Sequence, residues 1–551
     1  MLKPGKKFHK RPSLVAATIV LLIALVTIPT SLVLTARAET QQTTAQSADQ
    51  PAQLSNKTAA DGEKPAERRY AARTFNSKIA FNVWYRDTPR WSWRWIGRTP
   101  SATPLEIPAC WVWWVQPQDG VLDWDLLVRE MRENKIPGLT LSRATNSDAA
   151  YLAELTELCH LDLIRTQITD AGLVHLKSLI GLEALALPAT KITDVGLEHL
   201  KDLTKLRQLQ LDGAAITDAV LDHLKDLTGL QLLNLGSTQI TDAGLEHLKG
   251  LTGLTDLWLH DTKITDTGMA HLAGLTRLQW LGLESTQITD AGLEHLKGLT
   301  GLKVLDLSRT QVKDAGLVNL KGLTALAYVG LDGTKITDAG LEHLKALTGL
   351  TYLTLSGTQV TDAGLEHLKG LTGLQGLHLS DTRITDAGLE HLKSLTGLDL
   401  LHLESTQIAD AGLEHLKGLT GLTDLWLHDT KITDTGLAHL KGLAGLEILG
   451  LSRTQVKDAG LVNLKGMAAL QSLGLDGTQV TDAGLEHLKG LSKLSDLTLA
   501  NTKVTDAGLE HLKGLARLSS LDLSGTQVTD AGVQQLKQSL PTIIIERGQA
   551  K

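Results

Sequence analysis

Past residue 158, apolar residues follow two alternating rhythms. In Asp256–His260, "DLWLH", Leu257 and Leu259 alternate with Asp256, Trp258 and His260. A period of two puts the leucines on one face of a strand and the other three residues on the opposite face. From Asp266 the spacing lengthens, and Met269, Leu272 and Leu275 stand three apart as along one side of a helix. Thr265 and Asp266 supply an N-cap and an acid at the positive end of the helix dipole, and Gly274 ends the helix. The pattern predicts a strand and a short helix, with Leu257, Leu259 and Ile264 buried and Trp258 and His260 exposed.

This unit recurs with a fixed length. The Asp of "ITD" stands at Asp170, Asp194, Asp218 and Asp242, then at every 24th residue to Asp530, sixteen times without insertion or deletion. Ile or Val precedes it by two positions from Ile168 to Val528, and Thr precedes it by four from Thr166 to Thr526, with Ala214 the exception. A period of this length marks a solenoid of stacked units. One unit cannot stand alone, because burying its few leucines does not offset the entropy of ordering its backbone; neighbours supply the difference.

In "LTDLWLHDTKITDTGMAHLAGLT", Leu254, Leu257, Leu259 and Thr262 occupy the positions of L-x-x-L-x-L-x-x-T. In this the chain resembles the leucine-rich repeat family, over residues 158–530, with a weaker repeat in the same register at Gly138–Leu155. Within the family it resembles a bacterial-type exported or membrane-anchored member. The resemblance implies an α/β fold: a leucine-rich-repeat solenoid, or horseshoe, with at least sixteen parallel strands on the concave face and short helices on the convex face. It also implies protein recognition on the concave face. Thr stands where the family most often has Asn or Cys. Its hydroxyl still bonds backbone as the chain leaves each strand, which predicts a threonine ladder.

The chain ahead of the repeats divides by composition. Residues 1–12 form a basic flank with five Lys or Arg, followed by an uncharged run from Ser13 to Ala36. Residues 13–38 are thus either a transmembrane signal-anchor or a signal peptide cleaved after Ala38, and both place the repeats outside the cytoplasm. Residues 39–69 are polar and predict a disordered linker.

Eight of the eleven Trp lie in the next segment, a capping region at 70–134. There "RWSWRWIGR" reads as a strand with an aromatic face, "CWVWWVQP" as its partner, and "VLDWDLLVREMRENKI" as a capping helix. Together they seal the first edge of the solenoid; adhesion to glycan or lipid headgroups is the alternative. The repeats occupy 135–540, one degenerate unit plus sixteen, and 541–551 form a cap strand and tail. Cys110 and Cys159, the two cysteines, form either one bridge or two spare thiols.

The formal net charge is −7, and the acids are unevenly placed. Strand positions facing away from the leucines, with the two residues after each strand, carry fourteen acids against Arg165, Arg309 and Arg453. An acidic face argues against nucleic acid and towards a basic protein partner. The candidate binding residues on it are Asp256, Trp258, His260, Asp261, Trp280 and Glu284, then Tyr328 and Tyr352, then His378, His402, Glu404, Asp424, Trp426, His428 and Asp429. His378, His402 and Trp426 form one row, with Glu404 touching His428 in the next.

The stretch "DLWLHDTKITDTG" occurs at 256–268 and again at 424–436, 168 residues or seven units apart. Either a binding surface is built twice, or a gene segment was copied with its aromatics. The histidines of "GLEHL" belong to a solvated helix face. No catalytic or phosphate-binding motif is present, and the reading is not an enzyme, with no cofactor and no metal. A structural spacer of the cell envelope without a ligand is the rival function.

Overall fold

The computed structural model describes residues 70–86, 93–118 and 123–547. The basic flank, the segment 13–38 and the linker 39–69 lie outside the described residues, as does Trp91. Among the described residues no helix is long and apolar enough to cross a membrane. The chain divides into two compact units, 1–209 and 210–551.

The second unit is a parallel stack. Strands of three residues recur every 24 positions, from Leu232–Asn234 through Asp256–Trp258 and Trp280–Gly282 to Ile544–Glu546. Each pairs in parallel with the next, so that Leu232 meets Asp256, Asp256 meets Trp280, and Ser520 meets Ile544. Residues one repeat apart therefore stand side by side, and every sequence column becomes a spatial row. Leu257, Leu259 and Ile264 are fully buried, as the alternation requires.

In most repeats the α-helix is shorter than its apolar spacing predicts, although Asp434–Leu440 runs for seven residues. Asp266–Met269 is a single α-helical turn, continued by a 3-10 turn at Ala270–Leu272. Leu275 lies beyond it, with its N–H donated to the Leu272 carbonyl at 2.9 Å. Buried residues spaced strictly by three suit the 3-10 turn, in which positions i and i+3 eclipse.

Two side chains share the polar work at each strand exit, and only one links repeats. Thr262 Oγ1 donates to the Leu259 carbonyl at 2.6 Å, inside its own repeat. The predicted threonine ladder is thus a column of local caps. The rungs between repeats come from the Asp of "ITD": Thr265 N–H donates to Asp242 Oδ1 at 2.8 Å, and Thr265 Oγ1 donates to Asp242 Oδ2 at 2.6 Å. The same clamp joins Asp338 to Thr361 and Asp458 to Thr481. Helix-dipole compensation explains an acid at this position; the clamp explains why it is always Asp. It also explains the Gly two residues later. A Cβ on Gly340 would lie 2.5 Å from Asp314 Oδ1 of the preceding repeat.

In the first unit, Phe81–Arg86 lies between Trp93–Arg98 and Val112–Pro117 and is antiparallel to both. "CWVWWVQP" is therefore not the direct partner of "RWSWRWIGR"; a strand that shows weaker alternation intervenes. Val112–Pro117 then meets Gly138–Thr140 in parallel at Val115 and Leu139, and Gly138–Thr140 meets His160–Asp162. The Trp-rich element thus covers the outer edge of the Gly138–Thr140 strand. Trp113 and Trp114 are buried in it, whereas Trp95 is 54 % exposed. The capping helix runs from Trp124 to Glu133, and the Asp123 carboxylate accepts from Leu126 N–H at 2.8 Å. Cys110 is buried and Cys159 half-buried, with no disulfide between them, and the Tyr70 hydroxyl stands 3.6 Å from Cys159 Sγ.

Candidate functional site

All the candidate residues belong to the second unit and fall into four rows across its strands. Asp256, Trp280, Tyr328, Tyr352 and Asp424 share the first row, and Trp258, His378, His402 and Trp426 the second. His260, Glu284, Glu404 and His428 follow in the third, and Asp261 and Asp429 in the fourth.

The fourth row is shaped by the backbone. Asp261, Arg309, Asp381, Asp429 and Arg453 there all have φ between 53° and 58°, and Gly333 and Gly357 have φ of 64° and 69°. Left-handed backbone favours Gly and tolerates Asp and Asn, so an acid in this row is first of all a turn residue. Asp429 is further held by Arg453, whose Nε and Nη2 donate to its two carboxylate oxygens at 2.6 and 2.5 Å.

Trp258 and His260 are half-buried instead of exposed. The reason is glycine on the next strand: the Trp258 ring lies over Gly282, where a Cβ would come within 2.5 Å of Trp258 Cε3. His260 lies over Gly236, Tyr352 over Gly376 and His428 over Gly450 in the same way. At each of these places a large residue lies over a glycine one strand away, a pairing visible in the sequence once columns are read as neighbours.

The first aromatic patch joins Trp258 to Trp280, with ring centroids 6.3 Å apart, and to His260 at 6.5 Å. The second is more compact. His378 and His402 stack at 4.1 Å, His402 meets Trp426 at 5.5 Å, and Trp426 meets His428 at 5.3 Å. Glu404 does not reach His428. Its Oε1 lies 3.5 Å from His402 Nδ1 and its Oε2 accepts from the Ser380 hydroxyl, while His428 Nδ1 accepts from Ser452 N–H at 3.0 Å. The backbone donor draws His428 towards residue 452, and the serine draws Glu404 the other way.

Burial sets the charge state of this surface. It pushes His378 down to about 4, His402 well below the usual imidazole range, and His428 to about 4 with help from the nearby Arg453 cation. It also pushes Glu404, Glu284 and Asp332 up to about 7, and raises Asp306 and Asp424. At neutral pH these three imidazoles are uncharged and Glu404, Glu284 and Asp332 are near half-titration. The surface is less negative than its fourteen formal acids suggest. Asp256 is buried, and its Oδ2 accepts from Thr255 Oγ1 at 2.5 Å. Among the described residues no group of three or more His, Cys, Asp or Glu side chains is placed to hold a metal ion.

Comparison with known families matches residues 294–540 to a "Leucine-rich repeat region" and residues 228–288 to a "Leucine rich repeat". Together these cover more than half of the chain. Among solved structures, an LRR protein of Leptospira interrogans is 21 % identical over 68 % of this chain and 91 % of its own, with a TM-score of 0.50. An internalin (inlF) of Listeria monocytogenes is 27 % identical over 63 % of this chain and 88 % of its own, at a TM-score of 0.43. The ectodomain of the Arabidopsis receptor kinase HAESA, solved with a peptide hormone, is 16 % identical over 70 % of this chain and 73 % of its own, also at 0.43. No curated protein matches the chain.

Proposed function

Because the chain belongs to the leucine-rich-repeat family, we propose that it is a protein-binding scaffold, held or released outside the cytoplasm, that takes a partner on its concave strand face. The observation that carries this reading is the pair of aromatic patches, Trp258 with Trp280 and His378 with His402 and Trp426, built in register on one face of the second unit. Half-buried Trp rings surrounded by polar groups are the usual energetic centres of an interface. The remaining acids favour a partner with basic residues and speed its association at low salt. Residues 13–36 are the tether if they are retained, and cleavage after Ala38 releases the chain. We assign no reaction and no cofactor, because the sequence carries no catalytic or phosphate-binding motif.

The test is selection from a displayed peptide library against the full-length protein. Enriched peptides should be basic and carry aromatic or aliphatic residues. Trp258→Ala and Trp426→Ala should each weaken them by about 2 kcal/mol or more, with circular dichroism unchanged. A spacer without a ligand enriches nothing above background. For the compartment, a protein that resists carbonate extraction and is digested by external protease is anchored, whereas a soluble chain beginning at Glu39 is released.

A further inference from the structure

The seal over the first strand edge does not use all of its tryptophans. Trp113 and Trp114, on the strand that meets Gly138–Thr140, are 0 % and 3 % exposed, whereas Trp95 is 54 % exposed. Trp95 belongs to Trp93–Arg98, which among the described residues pairs with Phe81–Arg86 and with no further strand. It is the outermost strand of that sheet. The core beneath it is already closed, since a Cβ on Gly97 would lie 2.8 Å from Leu105 Cδ2. One exposed ring by itself means little; its neighbours give it meaning.

Arg94 and Arg98 stand on either side of Trp95 and Ile96 in this strand, and both are exposed. The pairing sets their directions. Asn82 pairs with Arg98 and Trp84 with Trp95, with a register shift between Val83 and Trp84, so Trp95 and Arg98 share the face of Asn82 and Trp84 although they are three residues apart. Plain alternation would put them on opposite faces; the irregularity re-aims one of them, as bulges do. Arg98 is held there, its Nε donating to Asn82 Oδ1 at 3.2 Å. Arg94, opposite Tyr85, is on the other face. Laid edge-on, an outermost strand brings both faces to a flat surface.

The charge around the ring has one sign. Residues 70–86 and 93–118 hold Arg73, Lys78, Arg86, Arg94 and Arg98 against Glu106 alone, in a chain whose net charge is −7. Of these five cations only Arg86 is buried. The complement of this surface is therefore an anion. Ile96, half-buried beside the ring, narrows the choice: an aliphatic side chain offers a sugar no hydrogen bond, but with Trp95 it suits the boundary between lipid headgroups and acyl chains. Basic side chains meet the anionic headgroups at the same depth.

We propose that the outermost strand, Trp93–Arg98, rests on an anionic phospholipid surface, with Trp95 and Ile96 at the headgroup–acyl boundary and Arg94 and Arg98 on the phosphates. The contact is separate from the partner-binding strand face of the second unit. It holds whether residues 13–36 are retained or cleaved.

The experiment uses the full-length protein and intrinsic fluorescence. Every Trp lies at Trp84 or beyond, so the signal is blind to the N-terminal segment. The protein is mixed with vesicles of phosphatidylglycerol and acyl-brominated phosphatidylcholine, and with vesicles of brominated phosphatidylcholine alone. Bromine quenches indoles that reach the bilayer. The Trp95 share, wild type less Trp95→Phe, should be quenched in the anionic vesicles and several-fold less in the neutral ones. Arg94→Gln and Arg98→Gln should each weaken the contact about fivefold and together abolish the quenching. Arg94→Lys with Arg98→Lys, which keeps both charges, should retain it, and high salt should act like the double Gln variant. Thermal unfolding checks that each variant keeps the fold.

Equal quenching of wild type and Trp95→Phe overturns the contact. So does Trp95 quenching that is as strong in neutral vesicles, or that survives in the double Gln variant. Polygalacturonate, a soluble polyanionic glycan, tests the other occupant: if it shields Trp95 from acrylamide and the vesicles do not, the strand is a glycan site and the lipid reading falls. None of these outcomes involves Trp258 or Trp426, so the partner reading of the second unit stands or falls separately.

Discussion

The imidazoles of His378 and His402 lie face to face, 4.1 Å apart at the ring centroids and 2° from parallel, each at most 4 % exposed. Two rings at that distance cannot both carry charge without strong repulsion. The stack is therefore a neutral element in which protons are unwelcome.

A pH dependence follows. His378 has a folded pKa of about 4, below its ordinary 6.5. The unfolded chain therefore takes up the proton first, and stability is lost as pH falls from about 6.5 towards 4. His378→Phe, which keeps a stacked ring and removes the titration, should flatten this acid limb. Urea unfolding midpoints from pH 7 to pH 4 read it, and an unchanged slope counts against a neutral stack.

Glu404 works in the opposite sense. Its folded pKa is raised from 4.5 to about 7, so the folded state holds the proton longer, and stability present at low pH is lost as pH rises from 4.5 through 7. Glu404→Gln, which still accepts from the Ser380 hydroxyl, escapes that loss. Between pH 4 and pH 8 wild type should weaken relative to this variant by about 2 to 3 kcal/mol.

The Asp–Thr clamp has a built-in control. At Ala409 the "ITD" threonine is missing, and Asp386 Oδ1 accepts only the backbone N–H, at 2.7 Å. Ala409→Thr restores a hydroxyl donor for Asp386 Oδ2 and should stabilise the protein by about 0.5 to 1.5 kcal/mol, measured by chemical denaturation.

Gly340 reverses a common expectation. Gly to Ala inside a helix usually stabilises by up to about 1 kcal/mol. Here the added methyl would lie 2.5 Å from Asp314 Oδ1 and 3.0 Å from Ile336 Cγ2, and Gly340→Ala should destabilise by about 1 to 3 kcal/mol. A stabilised variant would mean that the clamp moves aside easily.

Trp258→Ala should also be felt in the fold. The ring covers Gly282 and touches Trp280, and its loss should destabilise by about 1 to 2 kcal/mol, readable in the same denaturation assay.

Much of this architecture was legible in the sequence, because the column spacing of Leu257, Leu259 and Ile264 is itself the geometry of burial. The length of the helix was less so: spacing by three fits both an α-helical edge and the 3-10 turn found at Ala270–Leu272. Contacts between repeats were hidden for another reason. Asp242 and Thr265 are 23 residues apart, and a one-dimensional reading assigns each to its own unit. The same blindness made Trp258 look exposed, since its cover is Gly282 on the next strand, and made Asp261 look chosen for charge when its φ of 53° favours a short polar residue. Glu404 was placed beside His428 because a row diagram holds no serine hydroxyl to pull it away.

The Asp–Thr clamp also governs how such a chain changes size. Every rung joins one repeat to the next and to no other, as Asp338 does to Thr361 and Asp362 to Thr385. Removing or inserting any whole number of 24-residue units therefore reconnects each aspartate with an equivalent backbone N–H of the following repeat, as at Thr361, Ala409 and Lys457. An insertion of 23 or 25 breaks the rung and shifts every leucine below it. Length is thereby quantised, and the copied "DLWLHDTKITDTG" stands seven whole quanta from its twin.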